Sequence, residues 1–353
     1  MSKPDTLTAP QVHKVTSDYT DQRLDRMLRA QFGRLSQALI ERLCRKGLVR
    51  VNGKKVKPST RLIQDQEIQI YTSIGVNPDL SVKSTQLSTK EIELVDELNE
   101  AIIFEDDFIL AINKPSGLAT QGGTQQRDHV DKYLNHIKTS TQSDQLRLVH
   151  RLDKETSGVL VLAKTLPAAR TMTHLFQSRA VVKQYLAFTH GVPNPKRGII
   201  KFPILRDTQS KNRKMNSLKS HTKADDNEAK FATTHYEVQF VFGRNLAGIA
   251  LWPQTGRTHQ LRTHLATLGN PILGDRKYTP RSLNVSQLSG IIENPKRMQL
   301  CLHASSLSFL HPHTKKKIHI KAGFPDHMKK LAKTFEWNLL SAIPSPPSQF
   351  STF

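Results

Sequence analysis

The nonapeptide HRLDKETSG, residues 150–158, sets the acid Asp153 between Arg151 and Lys154, just ahead of the apolar run VLVLA. A second cationic cluster, TGRTHQLRTH at 255–264, carries Arg257 and Arg262. An acid held by arginines keeps its charge, because each guanidinium favours the ionised form. Such a group is a nucleophile or a base and not a proton donor. A buried structural Asp–Arg pair has the same sequence, so spacing alone leaves both readings open. Glu155 stands too near Asp153 along the chain to serve as the opposed partner of a glycosidase or nuclease pair. His259 and His264 lack a cysteine or acid at ligand spacing, so no metal site is expected.

Composition bounds what such a site would act on. The 353 residues include 52 Lys and Arg against 30 Asp and Glu, a formal net charge of +22. So large an excess speaks to partners: nucleic acid first, anionic membrane second. No stretch approaches the ~20 apolar residues of a membrane span, and MSKPDTLTAP lacks the apolar centre of a secretory signal, so no membrane association or secretion is expected. Cys44 and Cys301 fall in different predicted domains, which argues against a disulfide framework or a cysteine zinc site and suits a reducing cytoplasm. The chain has no Gly-rich phosphate fingerprint, and no cofactor is expected.

The elements that must position Asp153 follow from hydrophobic periodicity. Residues 1–18 read as a flexible tail. Residues 19–73 form a small predicted domain. RLDRMLRAQF aligns Leu24, Met27, Leu28 and Phe32 on one helical stripe, leaving Arg23, Arg26 and Arg29 away from it. Ser36 is placed to cap a second helix, QALIERLCRK, whose Leu39, Ile40 and Leu43 face inward and whose end is marked by Gly47. VRVNGKKV then turns at Asn52–Gly53, and DQEIQIY closes with a further strand. Residues 74–98 read as a linker. A larger domain over 99–335 is rich in strands, among them AIIFEDDFILAINKP, GVLVLAK, KQYLAFTHG, THYEVQFVF and LAGIALWPQ. A helix over PAARTMTHLFQS places Ala169, Met172, Thr173 and Phe176 at helical spacing, with Pro167 in its first turn. The expected class is α+β, around a mixed or antiparallel sheet. Lys196–Lys223 holds nine Lys or Arg against one Asp; it reads as a solvated loop first and as an RNA contact second. Residues 336–353 read as a tail.

Five blocks now stand in order: NKPSGLATQGG at 113–123, HRLDKETSGVLVLAK from 150, KQYLA at 183–187, TGRTHQLRTHLATLGNPILGD at 255–275 and LCLHA at 300–304. Together they resemble the RluA-type pseudouridine synthase family, and residues 19–71 resemble an S4 RNA-binding domain. The resemblance implies an isomerase that detaches uracil from C1′ of a uridine within RNA, turns the base and rejoins it through C5, with no group donor and no redox step. It implies that Asp153 acts at the ribose, by covalent attack or by assisting a glycal. Tyr185 would stack on the base and share in proton transfer. Arg262 would pair with the aspartate, Arg257 being the less favoured claimant, and Leu261 would wall the base pocket. Arg151 would fill the space left by the extruded nucleotide: flipping costs a few kcal/mol, and a planar guanidinium can stack where the base was. Gly158 would allow close backbone approach, His150 would hold the loop, and Asn113 and Lys114 would orient loops or phosphates. In the S4 segment, Arg23, Arg26, Arg45, Lys46, Lys54 and Lys55 are the expected RNA contacts.

An S4 domain ahead of this catalytic domain resembles the ribosomal branches. GLATQGG followed by HVDKYL, with LVHRLDKETSGVLVLAK, is most similar to the large-subunit synthase C branch. A uridine of 23S ribosomal RNA is therefore the expected substrate, modified by a cytoplasmic monomer. Transfer RNA or mitochondrial ribosomal RNA is the alternative substrate. A non-catalytic RNA-binding ribosome-assembly protein is the alternative of another class; it explains the charge but gives no reason for Asp153, Tyr185 and Arg262 to occupy their family positions together.

Overall fold

A computed structural model of the chain describes residues 10–16, 19–32, 35, 37–72, 87–123, 126–140, 145–205, 229–280, 283, 298–339, 344 and 346–347. They fall into two units, Met1–Ser88 and Thr89–Phe353.

In the first unit, strand β1 (Gln11–Lys14) precedes helices α1 (Leu24–Phe32) and α2 (Gln37–Lys46), followed by β2 (Val49–Val51), β3 (Lys54–Lys55) and β4 (Glu67–Ile70). The four strands lie in the order β1-β4-β2-β3, all antiparallel. The helical stripes bury Leu24, Met27, Leu28, Ile40 and Leu43 against Val49, Val51, Ile68 and Ile70. Asn52 and Gly53 both take positive φ, 47° and 75°, the two left-handed residues that a tight primed turn needs. The Asn52 side chain also accepts a hydrogen bond from the Glu67 amide at 2.7 Å, locking the turn to β4. The tail reading of residues 1–18 needs correction where β1 lies. Its side chains are mostly exposed, so no alternation marks it, and it is held by backbone pairing to β4. Ser36, the expected cap, lies outside the described residues.

The second unit opens with helix α3 (Thr89–Glu100), so the end of the expected 74–98 linker is helical. There follow β5 (Ile102–Glu105), β6 (Ile109–Lys114), the short helix α4 (Val130–Tyr133), β7 (Arg147–Leu148), β8 (Ser157–Ala163), α5 (Leu166–Gln177), β9 (Val182–His190), β10 (Arg197–Leu205), β11 (Ala229–Phe242) and β12 (Leu246–Pro253). Helix α6 (Gln260–Thr267), β13 (Leu302–Leu310), β14 (Lys317–Lys321) and α7 (Asp326–Thr334) complete it. One ten-stranded sheet runs β10-β11-β12-β9-β13-β8-β6-β5, with β14 added to β13 and β7 to β8. Every pairing is antiparallel except β8 with β13, so the sheet is mixed, as the α+β reading expects. The parallel seam has only two register pairs, His303 with Ser157 and Ala304 with Gly158.

All seven residues of β8 are buried, which is why SGVLVLA reads as a continuous apolar run. One hydrophobic cluster joins β9 and β12 to α6 and α7; another joins β6 and β8 to α5 through Val159, Val161, Ala168 and Met172. Two further boundaries need correction. The first part of the basic 196–223 segment is not a loop: β10 pairs with β11 over nine positions, and residues 206–228 lie outside the described residues. The segment after 335 is not wholly a tail, since Trp337 packs on the first of those clusters and Leu339 is buried in it. Among the described residues no helix is long and apolar enough to cross a membrane, and no group of His, Cys, Asp and Glu could hold a metal ion.

Candidate active site around Asp153

Asp153 lies on the loop between β7 and β8, at a cavity of about 520 Å³. The loop closes as a turn, with the Thr156 amide donating to the Asp153 carbonyl at 3.1 Å. Backbone polar groups in a buried loop must find partners, and segment 114–120 supplies them. Thr120 Oγ1 donates to the Leu152 carbonyl at 2.8 Å and accepts from the Leu152 amide at 3.1 Å. Ser116 Oγ donates to the Glu155 carbonyl at 2.8 Å, and the Gly117 amide donates to the Lys154 carbonyl at 2.9 Å.

Lys114 corrects an expectation. It is 0% exposed, and its ammonium donates to the carbonyls of Pro115, Leu118 and Lys154. Burial pushes its pKa down to about 7, against the pull of Glu155 and Asp153. A cation so enclosed clamps two loops together and cannot meet an RNA phosphate. Asn113 likewise spends its amide on the Gly323 carbonyl, at 2.8 Å. His150 anchors the loop from the other side: its Nε2 accepts the Val161 amide at 2.9 Å and its ring stacks on Phe176. Burial drives its pKa down to about 3, so it serves as a neutral acceptor. At Gly158, φ is +114° and an added Cβ would lie 2.2 Å from the Ala304 carbonyl oxygen, so only glycine lets β8 reach β13 behind the catalytic loop.

Tyr185, on β9, lines the same cavity. Burial, and then the charge of Asp153, raise its pKa above the usual phenol value, so it remains a neutral hydroxyl. Leu261 is buried in the opposing wall, while Arg151 and Arg257 stand exposed at the rim.

Arg262 also lines the cavity, but its expected partner needs correction. Its guanidinium grips Asp275 in a bidentate pair, Nε to Oδ2 at 2.7 Å and Nη2 to Oδ1 at 2.8 Å. Asp275 Oδ1 also accepts the amides of Lys277 and Tyr278. Burial opposes the charge on Asp275, yet Arg262 and these amides hold its carboxyl below the usual range. What reaches Asp153 is the backbone amide of His259, which donates to Oδ2 at 3.2 Å. His259 is the N-cap of α6 and sits in the left-handed region, φ 55° and ψ 21°. Gln260 ties that turn down: its side-chain oxygen accepts from Thr255 Oγ1 and the Arg257 amide, and its nitrogen donates to β11.

Four residues escaped the sequence reading: Asp275, Tyr278, Lys183 and Arg179. Asp275 ends a block already quoted, and a lone acid there was the available signal. Lys183 lies two positions before Tyr185 on β9, and the strand's period of two points both into the cavity. Its ammonium donates to the Thr255 carbonyl at 3.2 Å, and burial, then Arg179, lowers its pKa to about 8. Arg179, left-handed at the end of α5, carried no signal.

In the first unit, Arg26, Arg45, Lys46, Lys54 and Lys55 are exposed. Arg23 is exposed as well. It precedes α1, and its guanidinium is bound to the buried carboxylate of Asp25, at 2.7 Å for the closer contact.

A loop acid, a buried tyrosine and a cationic rim at one cavity, in a chain with a separate αα-hairpin unit, describe an RNA-modifying enzyme. The RNA pseudouridylate synthase family model matches residues 108–267, and the S4 domain model matches residues 22–68. The ribosomal large subunit pseudouridine synthase C of Rickettsia bellii is 34% identical over 310 residues, covering 88% of this chain and 96% of that protein. The protein of that name from Escherichia coli O157:H7 is 32% identical over 318 residues, covering 90% and 93%. Among solved structures, human RNA pseudouridylate synthase domain containing 4 is 32% identical with a TM-score of 0.59, covering 69% of this chain and 96% of that one. The chain belongs to the RNA pseudouridylate synthase family and carries an S4 domain.

Proposed function

We propose that this enzyme isomerises uridine to pseudouridine in large-subunit ribosomal RNA, with Asp153 acting at the ribose. The observation that carries the reading is that Asp153 and Tyr185 line one cavity whose rim holds Arg151, Arg179 and Arg257. The names of the relatives, large-subunit synthases from several bacteria, support the choice of RNA.

In this reading the target uridine leaves its stack and enters the cavity, at a cost of a few kcal/mol. Arg151, exposed at the rim, occupies the vacated space, and Leu261 and Tyr185 bound the base. Asp153 Oδ2 is held by the His259 amide, while Oδ1 carries no hydrogen bond among the described residues and faces the work. It acts either by bonding to C1′ or by taking the proton from C2′ as the C1′–N1 bond breaks. Uracil then turns and C5 bonds to C1′, either displacing the carboxylate from C1′ or as Asp153 returns the proton to C2′; C5 then loses its proton and N1 gains one, so the net change is an isomerisation. Tyr185 is the nearby hydroxyl able to share in that transfer. Arg26, Arg45, Lys46, Lys54 and Lys55 hold RNA phosphates on the S4 domain. In this reading the enzyme works as a monomer in the cytoplasm.

The test is pseudouridine mapping of ribosomal and transfer RNA from cells lacking the gene, complemented by wild type or by Asp153→Asn. Large-subunit uridines should lose the modification, and only wild type should restore it. Restoration by Asp153→Asn would remove Asp153 from the chemistry; loss confined to transfer RNA would overturn the substrate.

A further inference from the structure

We infer that Tyr278 is a positioning residue for the catalytic carboxylate, acting through the His259 side chain to hold the His259 amide on Asp153. The inference rests on Asp153 being the catalytic group. Tyr278 lines no part of the cavity, whereas His259 does.

His259 is a non-glycine residue at φ 55°, a strained conformation that persists only where its surroundings impose it. This conformation sends its amide N–H toward Asp153 Oδ2. No cap hydrogen bond from its own side chain holds it there. The imidazole reaches the other way: Nδ1 is hydrogen-bonded to the Tyr278 hydroxyl at 2.9 Å, with the rings edge-to-face at 5.6 Å. Burial keeps this imidazole below its ordinary pKa, so the link is one between neutral groups.

Tyr278 is itself fixed. Its amide donates to Asp275 Oδ1 at 3.0 Å, and the Arg262 guanidinium lies over its ring at 5.2 Å. Asp275 follows Gly274, which has φ +78° and where a Cβ would fall 2.0 Å from the Gln299 carbonyl oxygen, so the turn is pressed against the chain leading into β13. The sequence of contacts is thus Arg262 to Asp275, Asp275 to Tyr278, Tyr278 to His259, and the His259 amide to Asp153. By contact, Arg262 reaches the aspartate only through three intervening residues, along a chain that ends in a backbone hydrogen bond.

Misplacing a catalytic group by a fraction of an ångström to an ångström costs roughly ten- to a hundredfold in rate. Tyr278→Phe should therefore lower the single-turnover rate at saturating RNA about tenfold while leaving RNA affinity within about twofold. His259→Gly adopts the left-handed turn freely but loses the link, and should be as slow. The double variant should be no slower than the slower single, because both remove the same link. His259→Asn puts an amide group where Nδ1 stood and tolerates positive φ. It should keep most of the rate beside Tyr278 and lose that advantage beside Tyr278→Phe.

A wild-type rate in Tyr278→Phe or in His259→Gly overturns the inference, and so does a loss in Tyr278→Phe fully accounted for by weaker RNA binding. If Tyr278→Phe melts below the assay temperature, the His259→Gly and His259→Asn pair decides. Asp153→Asn is assayed alongside. Should it turn over normally, the catalytic reading fails and takes the inference with it; should it be inactive while Tyr278→Phe is normal, only the inference fails.

Discussion

The proposed role of Asp153 at the ribose needs one carboxylate oxygen held and the other unencumbered, and the His259 amide holds Oδ2. The neighbouring pair of Arg262 and Asp275 is buried although Arg262 borders the cavity, so its energetics are those of a buried ion pair. Removing one partner strands the other charge, at a cost of about 3–5 kcal/mol. Asp275→Asn should lower stability by that order in urea titration, whereas Asp153→Asn, at a cavity wall, should melt close to wild type. At this scale the candidate acid was legible only through the ordered blocks that resemble the family, because a structural Asp–Arg pair has the same local sequence; the structure sets Asp153 at a cavity wall. The arginine's partner was not legible. Sequence shows that Arg262 needs an acid but not which of two acids the α6 turn brings nearer.

The catalytic loop is one of several elements held by a second element lying under it. Lys114, Ser116, Gly117 and Thr120 take up the carbonyls of Leu152, Lys154 and Glu155, so β6 and its following loop determine where Asp153 stands. Behind it, Gly158 lets β8 touch β13. Gly158→Ala places a methyl against the Ala304 carbonyl at a φ that alanine resists; it should cost more than about 1 kcal/mol and lower the melting temperature in a thermal scan. The hairpin at Asn52–Gly53, the stripe of α1, the helix α5 and the run of β8 were all readable, since each has an unambiguous period or turn. Strand β1 and helix α6 were not. The first buries almost nothing, and the second buries six of its residues, Gln260 to Leu265, polar ones included, so neither has a polar face to contrast with an apolar one.

In the molecule as a whole, four histidines of the catalytic unit are poised against acid, His190, His264 and His303 buried and His150 half-buried. Burial lowers His150 to about 3 and His190, His264 and His303 to about 4, from 6.5. As the pH falls from 6.5 toward 4, the unfolded chain takes up protons that the folded chain refuses, so stability present above that window is lost across it. Denaturation midpoints measured between these limits should fall steadily with acidity; a flat profile would mean these rings are not buried neutral. The α+β class and the two-part division were legible from strand content and the change in pattern near residue 100. How the strands are ordered was not, because the parallel contact of β8 with β13 joins segments far apart in sequence.

That contact joins the two halves of the main strand order by a seam only two register pairs wide. Asp153 leads into one bank of it through β8, while Tyr185 on β9, which pairs with β13, and the α6 turn belong to the other. In the proposed reading a nucleotide lodged between them spans the join like a suture, so its binding would also hold the two banks together.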